Sequence, residues 1–241
     1  MKLLYIILLF FTLNLFSQEK LEFIYKVTSV GTMYNPLDEN SQSIKMYIEK
    51  MEEELNDLTY TLRIKEKDSY WFLQDDSSYP SSHMGKALGG ASSYFFDGQL
   101  KRYIEQRQFI GNSFIVQNEQ NNFNWELINE TKQVLGYTCR KAISKVTKLI
   151  KGENKVFETI AWYCPELKYV VGPQNFGGLD GLILELIDKK RKYYCSEILT
   201  PEKMTLFVLT KPSKGKLVTE EEYLVEMDRI QQENGLPNVK D

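Results

Sequence analysis

The chain reads GLDGLILELI from Gly178 to Ile187, and this stretch decides the predicted fold. Gly178 and Gly181 predict a tight corner, with positive φ or close backbone packing, just before a strand. From Leu182 onward alternate residues point to opposite faces of that strand, and both faces carry aliphatic side chains. A strand that is apolar on both faces is typical of the buried centre of a sheet.

Glu185 is the carboxylate on this apolar strand. A buried charge requires a partner or a raised pKa. We therefore interpret Glu185 as one half of a structural pair, with a Lys or Arg on a neighbouring strand, in preference to a catalytic acid.

Short alternating segments continue along most of the chain. A first strand is predicted over Leu21–Val30, and further strands follow as far as Met204–Thr210. Their close spacing and short polar turns favour antiparallel pairing, because parallel strands need longer crossovers. The predicted fold is mainly β (α+β): a curved antiparallel sheet or partial barrel, with a helix in the N-terminal half and a C-terminal helix packed against it.

Two segments have the pattern of those helices. Apolar residues recur at helical spacing between Ile44 and Leu58, and the other side is acidic. This favours packing on the core over lying on a membrane surface. Thr219 and Glu222 form a capping-box motif at the start of a C-terminal helix predicted over about residues 219–234, and Gly235 follows its end.

The N-terminus has the pattern of a cleavable signal peptide. Lys2 precedes an apolar run from Leu3 to Phe16, and the small residue Ser17 precedes a polar stretch. The run is shorter than the ~20 residues that cross a bilayer, so cleavage is favoured over an uncleaved anchor. We predict a signal peptide over residues 1–17 and a single domain over residues 18–241. The expected location is periplasmic or secreted, with no transmembrane anchor after cleavage.

The three cysteines are Cys139, Cys164 and Cys195. In an exported protein they would mature where disulfides persist. If the flanking strands form a hairpin centred on Lys151-Gly152, then Cys139 lies opposite Cys164. The sequence therefore predicts a Cys139–Cys164 bridge, and Cys139–Cys195 remains the open alternative.

Motifs of the main enzyme classes are absent from the sequence. It has no Gly-x-Ser-x-Gly elbow, P-loop, dinucleotide fingerprint or His-Glu-x-x-His motif, so no catalytic residue, cofactor or metal is predicted. The net charge of −3, with interspersed signs, argues against a nucleic-acid partner. The single histidine, His83, lies in a Ser/Gly-rich loop over Asp75–Gly90, a length that is often either functional or disordered. His83, Glu185 and Trp162 are the candidate binding residues.

One motif resembles a known family. The run Gly178-Leu179-Asp180-Gly181-Leu182-Ile183 resembles the signature of the GLPGLI family, exported proteins that are widespread in Bacteroidota. The segments Leu135–Ala142 and Lys211–Lys216 are similar to other parts of that family's pattern. Asp180 departs from it, because the family has proline there and Asp does not fix φ. The resemblance implies an exported β-rich domain and no particular activity, since the family has no settled biochemical function.

Three functions are compatible with these predictions. The favoured one is an exported, non-enzymatic envelope binding module that holds a small ligand or peptide against the concave sheet. One alternative is an interaction or accessory subunit of an outer-membrane transporter or assembly, with an envelope protein as partner. The other is a carboxylate-based hydrolase, so whether the chain is an enzyme stays open, with a non-enzymatic role favoured.

Overall fold

The computed structural model describes residues 20–31, 41–74, 90, 92–119, 123–150, 153–204 and 207–235. The predicted signal peptide over residues 1–17 lies outside these ranges. His83 and the predicted loop, apart from Gly90, also lie outside the described residues.

The described fold contains twelve strands, two helices and a short 3-10 helix at Pro201–Lys203. The strands are β1 Lys20–Ser29, β2 Thr59–Lys65, β3 Asp68–Leu73, β4 Ser93–Asp97, β5 Arg102–Phe109, β6 Asn112–Glu119, β7 Trp125–Val134, β8 Tyr137–Ile150, β9 Glu153–Cys164, β10 Leu182–Asp188, β11 Arg191–Leu199 and β12 Lys216–Val218. The helices are α1 Ser41–Asn56 and α2 Glu220–Glu233.

All twelve strands join in one sheet, in the order β12-β6-β5-β4-β3-β2-β1-β11-β10-β9-β8-β7. Neighbouring strands pair antiparallel, except that β12 pairs parallel with β6 through Lys216–Val218. The predicted mainly β fold with antiparallel pairing is confirmed. The parallel edge strand is an addition that the sequence did not indicate.

The predicted central strand is β10, which lies in the interior. Leu182, Ile183, Leu184 and Leu186 have no solvent exposure. A single core cluster takes side chains from every strand between β5 and β8 in the sheet order, together with Leu55 of α1. Because strands so far apart in the sheet share one core, the sheet is curved and this core fills its concave side.

The signature segment forms the predicted corner before β10. Gly178 has φ +84° and Gly181 has φ +151°. A Cβ at Gly181 would overlap the carbonyl oxygen of Cys164. Positive φ and close packing both occur here, as predicted from the glycines. Asp180, between these two glycines, is exposed.

Among the side chains that the structure describes, helix α1 meets the core at its C-terminal end. Leu55 is fully buried and Leu58, just beyond the helix, is 2% exposed. Tyr47, which the helical pattern placed on the packed side, is 53% exposed. The prediction of a packed helix is confirmed, but its first turns leave part of the apolar stripe uncovered.

Helix α2 begins with the predicted capping box. The Glu222 N–H donates to the Thr219 hydroxyl at 3.2 Å, and the Thr219 N–H donates to the Glu222 carboxylate at 2.8 Å. Tyr223 and Ile230 then pack on Phe114 of β6. In the described ranges, neither helix has the length and apolar character that crossing a bilayer requires.

The predicted strand over Met204–Thr210 is wrong. Met204 and residues 207–210 belong to no strand. Leu209 instead packs on a second small core made by Phe95, Ile104 and Ile115. Arg63 Nη1 donates to the Val208 carbonyl at 3.2 Å. An apolar side chain of the alternating pattern that suggested a strand, Leu209, packs against the face of the sheet instead.

Candidate ligand-binding pocket

A pocket of about 410 Å³ opens at one end of the concave side of the sheet. This volume lies within the ~300–1,000 Å³ that is typical of small-ligand sites. The residues that line it are Ile64, Glu66, Lys67, Ser69, Phe96, Gly98, Lys101, Lys168, Tyr169, Val170, Val171 and Gly178. A cavity on this side of the sheet is what the favoured binding hypothesis requires.

Two hairpin turns form one wall of the pocket. Glu66, with φ +59°, and Lys67 connect β2 to β3, while Lys101, with φ +49°, lies in the turn between β4 and β5. The two turns touch, because the Gly98 N–H donates to Asp68 Oδ1 at 3.0 Å. A Cβ at Gly98 would overlap the Lys67 carbonyl oxygen. This close contact holds Lys67 and Lys101 on adjoining tight turns.

The segment 168–171, ahead of the signature corner, forms the opposite wall. The Gly178 N–H donates to the Val170 carbonyl at 2.9 Å. Val171 and Gly177 form an isolated antiparallel bridge, which closes the short loop between them. The signature segment therefore contributes to the pocket as well as to the entry into β10.

Three lysines give the pocket a positive rim. We call Lys67, Lys101 and Lys168 the pocket lysines; all three are exposed. In the described part of the chain, none of them forms an ion pair with a carboxylate. Glu66 is the acidic residue among the described lining residues. Because the whole chain carries a net charge of −3, this positive charge is a local feature.

A buried tyrosine lies behind the pocket. The Tyr103 ring packs on Phe96 with 4.9 Å between ring centroids, and Tyr103 is 2% exposed. Its hydroxyl has no hydrogen-bond partner among the described residues, and a Cβ built on Gly177 would come within 3.1 Å of it. Burial raises the pKa of Tyr103 well above its usual range, so the hydroxyl keeps its proton.

The structure brings two candidate residues together outside this pocket. Glu185 on β10 lies directly opposite Trp162 on β9. Glu185 Oε1 lies 2.6 Å from Lys132 Nζ, and Oε2 lies 3.3 Å from Lys192 Nζ. The Lys132 ammonium also lies 4.3 Å from the Trp162 ring centroid. Since Lys192 is on the adjacent strand β11, the predicted pairing of Glu185 is confirmed.

The predicted hairpin register of β8 and β9 is also confirmed. Ala142 pairs with Ala161, and the same register carried to the end of the hairpin places Cys139 opposite Cys164. All three cysteines are buried free thiols in this structure, so the bridge is not formed in it and stays a prediction. Burial, with a smaller contribution from Cys164, raises the pKa of the Cys139 thiol to about 12.

Sequence reasoning did not find the pocket lysines. Lys67 and Lys101 lie in two separate turns and Lys168 lies in the irregular segment after β9, and no spacing in the sequence relates them. Their one local signal was the turn at Glu66-Lys67-Asp68, which indicated a hairpin and no ligand. Within the described residues, no group of three or more His, Cys, Asp or Glu side chains is placed to hold a metal ion.

Comparison with known proteins identifies a family for this fold. The family described as "N-glycanase peptide, N-terminal domain" matches residues 90–220, which is more than half of the chain. The chain belongs to this family. The matched range runs from β4 to β12, so the N-glycanase domain family covers the turn that carries Lys101 and the segment that carries Lys168.

Two solved structures share the fold. They are described as "Structure of PNGF-II in P21 space group" and "Structure of PNGF-II in C2 space group", with TM-scores of 0.52 and 0.55. Each is 12% identical in sequence, and each match covers 86% of this chain and 32% of that chain. The chain therefore spans about a third of the length of these structures, and the likeness shows the fold alone. No curated protein matches the chain.

Proposed function

We propose that this chain is an exported, non-enzymatic binding module whose ligand is a glycan or a glycan-bearing peptide. The observation that carries the proposal is the pocket of about 410 Å³ between the two hairpin turns and the segment 168–171. From the family's description as the N-terminal domain of an N-glycanase we take the ligand class alone.

The carboxylates of the described residues favour binding over hydrolysis. Hydrolysis of a glycosidic bond normally uses two carboxyl groups that face each other across the bond. The described pocket lining offers one, Glu66. Glu185 lies outside the pocket, and each of its oxygens is paired with a lysine.

Calorimetry with a matched pair of peptides tests the proposal. One carries an N-linked glycan and the other is the same peptide without it. We expect the wild-type protein to bind only the glycopeptide. Val170→Trp, which fills the pocket, should weaken that binding by about tenfold or more, in line with the loss of a central contact. Val208→Trp is the matched control, because Val170 and Val208 are 44% and 45% exposed and only Val170 lines the pocket.

Two results would overturn this proposal. One is the absence of binding to the glycopeptide by the wild-type protein. The other is equal binding of the two peptides, since the glycan would then contribute nothing to recognition.

Export and the resemblance to the GLPGLI family are parts of the same proposal. The positive φ of Gly178 and Gly181 supports the resemblance, because it explains why glycine stands at both positions. N-terminal sequencing of the protein recovered from the cell envelope should begin at or near Gln18. Alkylation of the unfolded protein without reductant should label one thiol, because Cys139 and Cys164 should be bridged. Labelling of three thiols contradicts the bridge.

A second candidate function is protein interaction, and one feature favours it. Strands β8 and β9 extend past their neighbours as a two-stranded ribbon, since pairing with β7 stops at Ser144 and pairing with β10 stops at Thr159. Val146 and Val156 on this ribbon are 49% and 63% exposed. A lone two-stranded ribbon is marginally stable in water, so a partner that covers it would stabilise it.

Chemical cross-linking in the envelope tests this second function. We expect the wild-type chain to cross-link to one envelope protein through the ribbon, and Val156→Lys to abolish the product because a charge replaces an apolar contact. A product that survives the substitution unchanged contradicts interaction through the ribbon.

A further inference from the structure

The pocket lysines lie together at one opening, and none of them has a counter-ion among the described residues. Three lysines line this opening, and Glu66 is the carboxylate that shares the described lining with them. A cluster of like charges beside apolar walls focuses the electrostatic field and raises the local concentration of ions of the opposite sign. In a chain of net charge −3, such a cluster attracts anions selectively to this opening.

Backbone contacts hold the segments that carry Lys67 and Lys168 in place. The backbone of Lys67 is fixed by the neighbouring turn. That turn lies so close to the Lys67 carbonyl that only glycine fits at position 98. Lys168 belongs to a segment that is tied to the signature corner by the bond from the Gly178 N–H to the Val170 carbonyl. Because the backbone is ordered before a ligand arrives, binding costs little conformational entropy there.

The floor of the pocket is apolar. Ile64, Phe96 and Val171 supply it, and the pocket lysines line the same opening. A sugar ring with a charged substituent matches this arrangement, because its C–H groups suit the apolar floor and its anionic group suits an ammonium donor. A neutral sugar leaves the three cations without a partner.

We infer that the glycan bound in this pocket is acidic, and that the pocket lysines recognise its anionic group. The inference rests on the proposed glycan-binding function and names the class of glycan. Lysine ammonium groups suit this task because each is a point charge on a flexible stem and adapts to more than one position of the anion.

Calorimetry with a sialylated N-glycopeptide, and with the same glycopeptide after removal of its sialic acids, tests the inference. We expect the sialylated form to bind wild-type protein about tenfold more tightly, and about 0.5 M salt to remove most of that advantage by screening. Lys67→Gln, Lys101→Gln and Lys168→Gln should each weaken binding of the sialylated form by about two- to fivefold. Each should weaken binding of the neutral form by a smaller factor, so that the preference for the sialylated form falls.

Lys189→Gln is the matched control. Lys189 lies in the hairpin turn between β10 and β11 at φ +56°, close to the φ of Lys101, and it does not line the pocket. This substitution should leave both affinities unchanged.

The outcomes separate the two levels of the proposal. If wild-type protein binds neither glycopeptide, the glycan-binding function itself fails. If it binds both equally, or if the lysine variants keep the preference for the sialylated form, glycan binding stands and the acidic-glycan inference is overturned.

Discussion

Two groups of lysines on this protein differ in whether the chain supplies their counter-ion. Lys132 and Lys192 share the carboxylate of Glu185, at 2.6 and 3.3 Å. Their side chains are about one-third exposed, whereas that of Glu185 is 9% exposed. The pocket lysines are exposed, two on hairpin turns and Lys168 in an irregular segment, and have no carboxylate partner among the described residues.

The difference shows how the surroundings of a lysine determine its role. A carboxylate that is nearly buried needs cations beside it, so the lysines at Glu185 have a structural role. An exposed lysine on a turn is fully hydrated and contributes little to stability. The pocket lysines are therefore free to bind a ligand, and substitutions at the two groups should have opposite consequences for stability and binding.

The largest expected effect on stability comes from a substitution in the tight corner that holds the pocket wall. Gly181→Ala should lower the free energy of unfolding by about 3 kcal/mol or more, because the new Cβ overlaps the Cys164 carbonyl and φ is +151°. Gly136→Ala is the control, since Gly136 also has positive φ but has open space around it, and it should cost about 1 kcal/mol. Chemical denaturation measures both values; equal losses would contradict the close-packing explanation.

A second substitution removes the carboxylate that Lys132 and Lys192 share, so that these lysines, like the pocket lysines, lack an anionic partner. Glu185→Ala leaves Lys132 and Lys192 close together without their anion, and should cost about 1–3 kcal/mol of stability, reduced from the fully buried case by partial exposure. Glu130→Ala removes the exposed partner of Lys141, at 3.0 Å, and should cost less than about 1 kcal/mol. Thermal and denaturant unfolding test this order, and a reversed order would contradict the structural role of Glu185.

Alkaline pH should weaken the core of the sheet. Burial raises the pKa of Cys195 and Tyr193 to about 12 in each case. The unfolded chain loses these protons first, from about pH 8.5 for cysteine and pH 10 for tyrosine. The contribution to stability is therefore complete below about pH 8 and falls as the pH rises toward 12.

Denaturant midpoints measured between pH 7 and 10.5 test this pH dependence. We expect a midpoint that is constant near pH 7 and declines above about pH 9. Tyr193→Phe should reduce the slope of the decline. Tyr47→Phe is the control, because Tyr47 is 53% exposed, and it should leave the slope unchanged. A midpoint that is independent of pH would contradict the neutral, buried state of these groups.

The smallest expected effect on stability is at the pocket lysines. Lys67→Gln, Lys101→Gln and Lys168→Gln should each change the free energy of unfolding by less than about 0.5 kcal/mol, because no ion-pair partner among the described residues is lost. Denaturation without ligand measures this. A loss above about 1 kcal/mol in any of the three would show that the lysine has a structural partner and would remove it from the binding site.

The sequence predicted the type of partner for Glu185 but not its identity. A carboxylate on an apolar strand implied a cation nearby, and Lys192 on the next strand is that cation. Lys132, three strands away on β7, could not be foreseen, because the bulge between Ile128 and Thr131 shifts the register of β7. The pocket lysines were missed for a related reason: each is an ordinary residue of a connection between strands until the sheet curves and brings the connections together.

Local patterns in the sequence determined the β-rich class, the buried strand β10, the register of β8 with β9 and the cap of α2. Each of these depends on residues a few positions apart, through strand alternation, turn chemistry or side-chain capping. The tertiary structure alone decided the parallel pairing of β12, the packing of Leu209 across the sheet, and the pocket. These depend on strand order and sheet curvature, which arise from contacts between residues far apart in the chain and leave no periodic mark in the sequence.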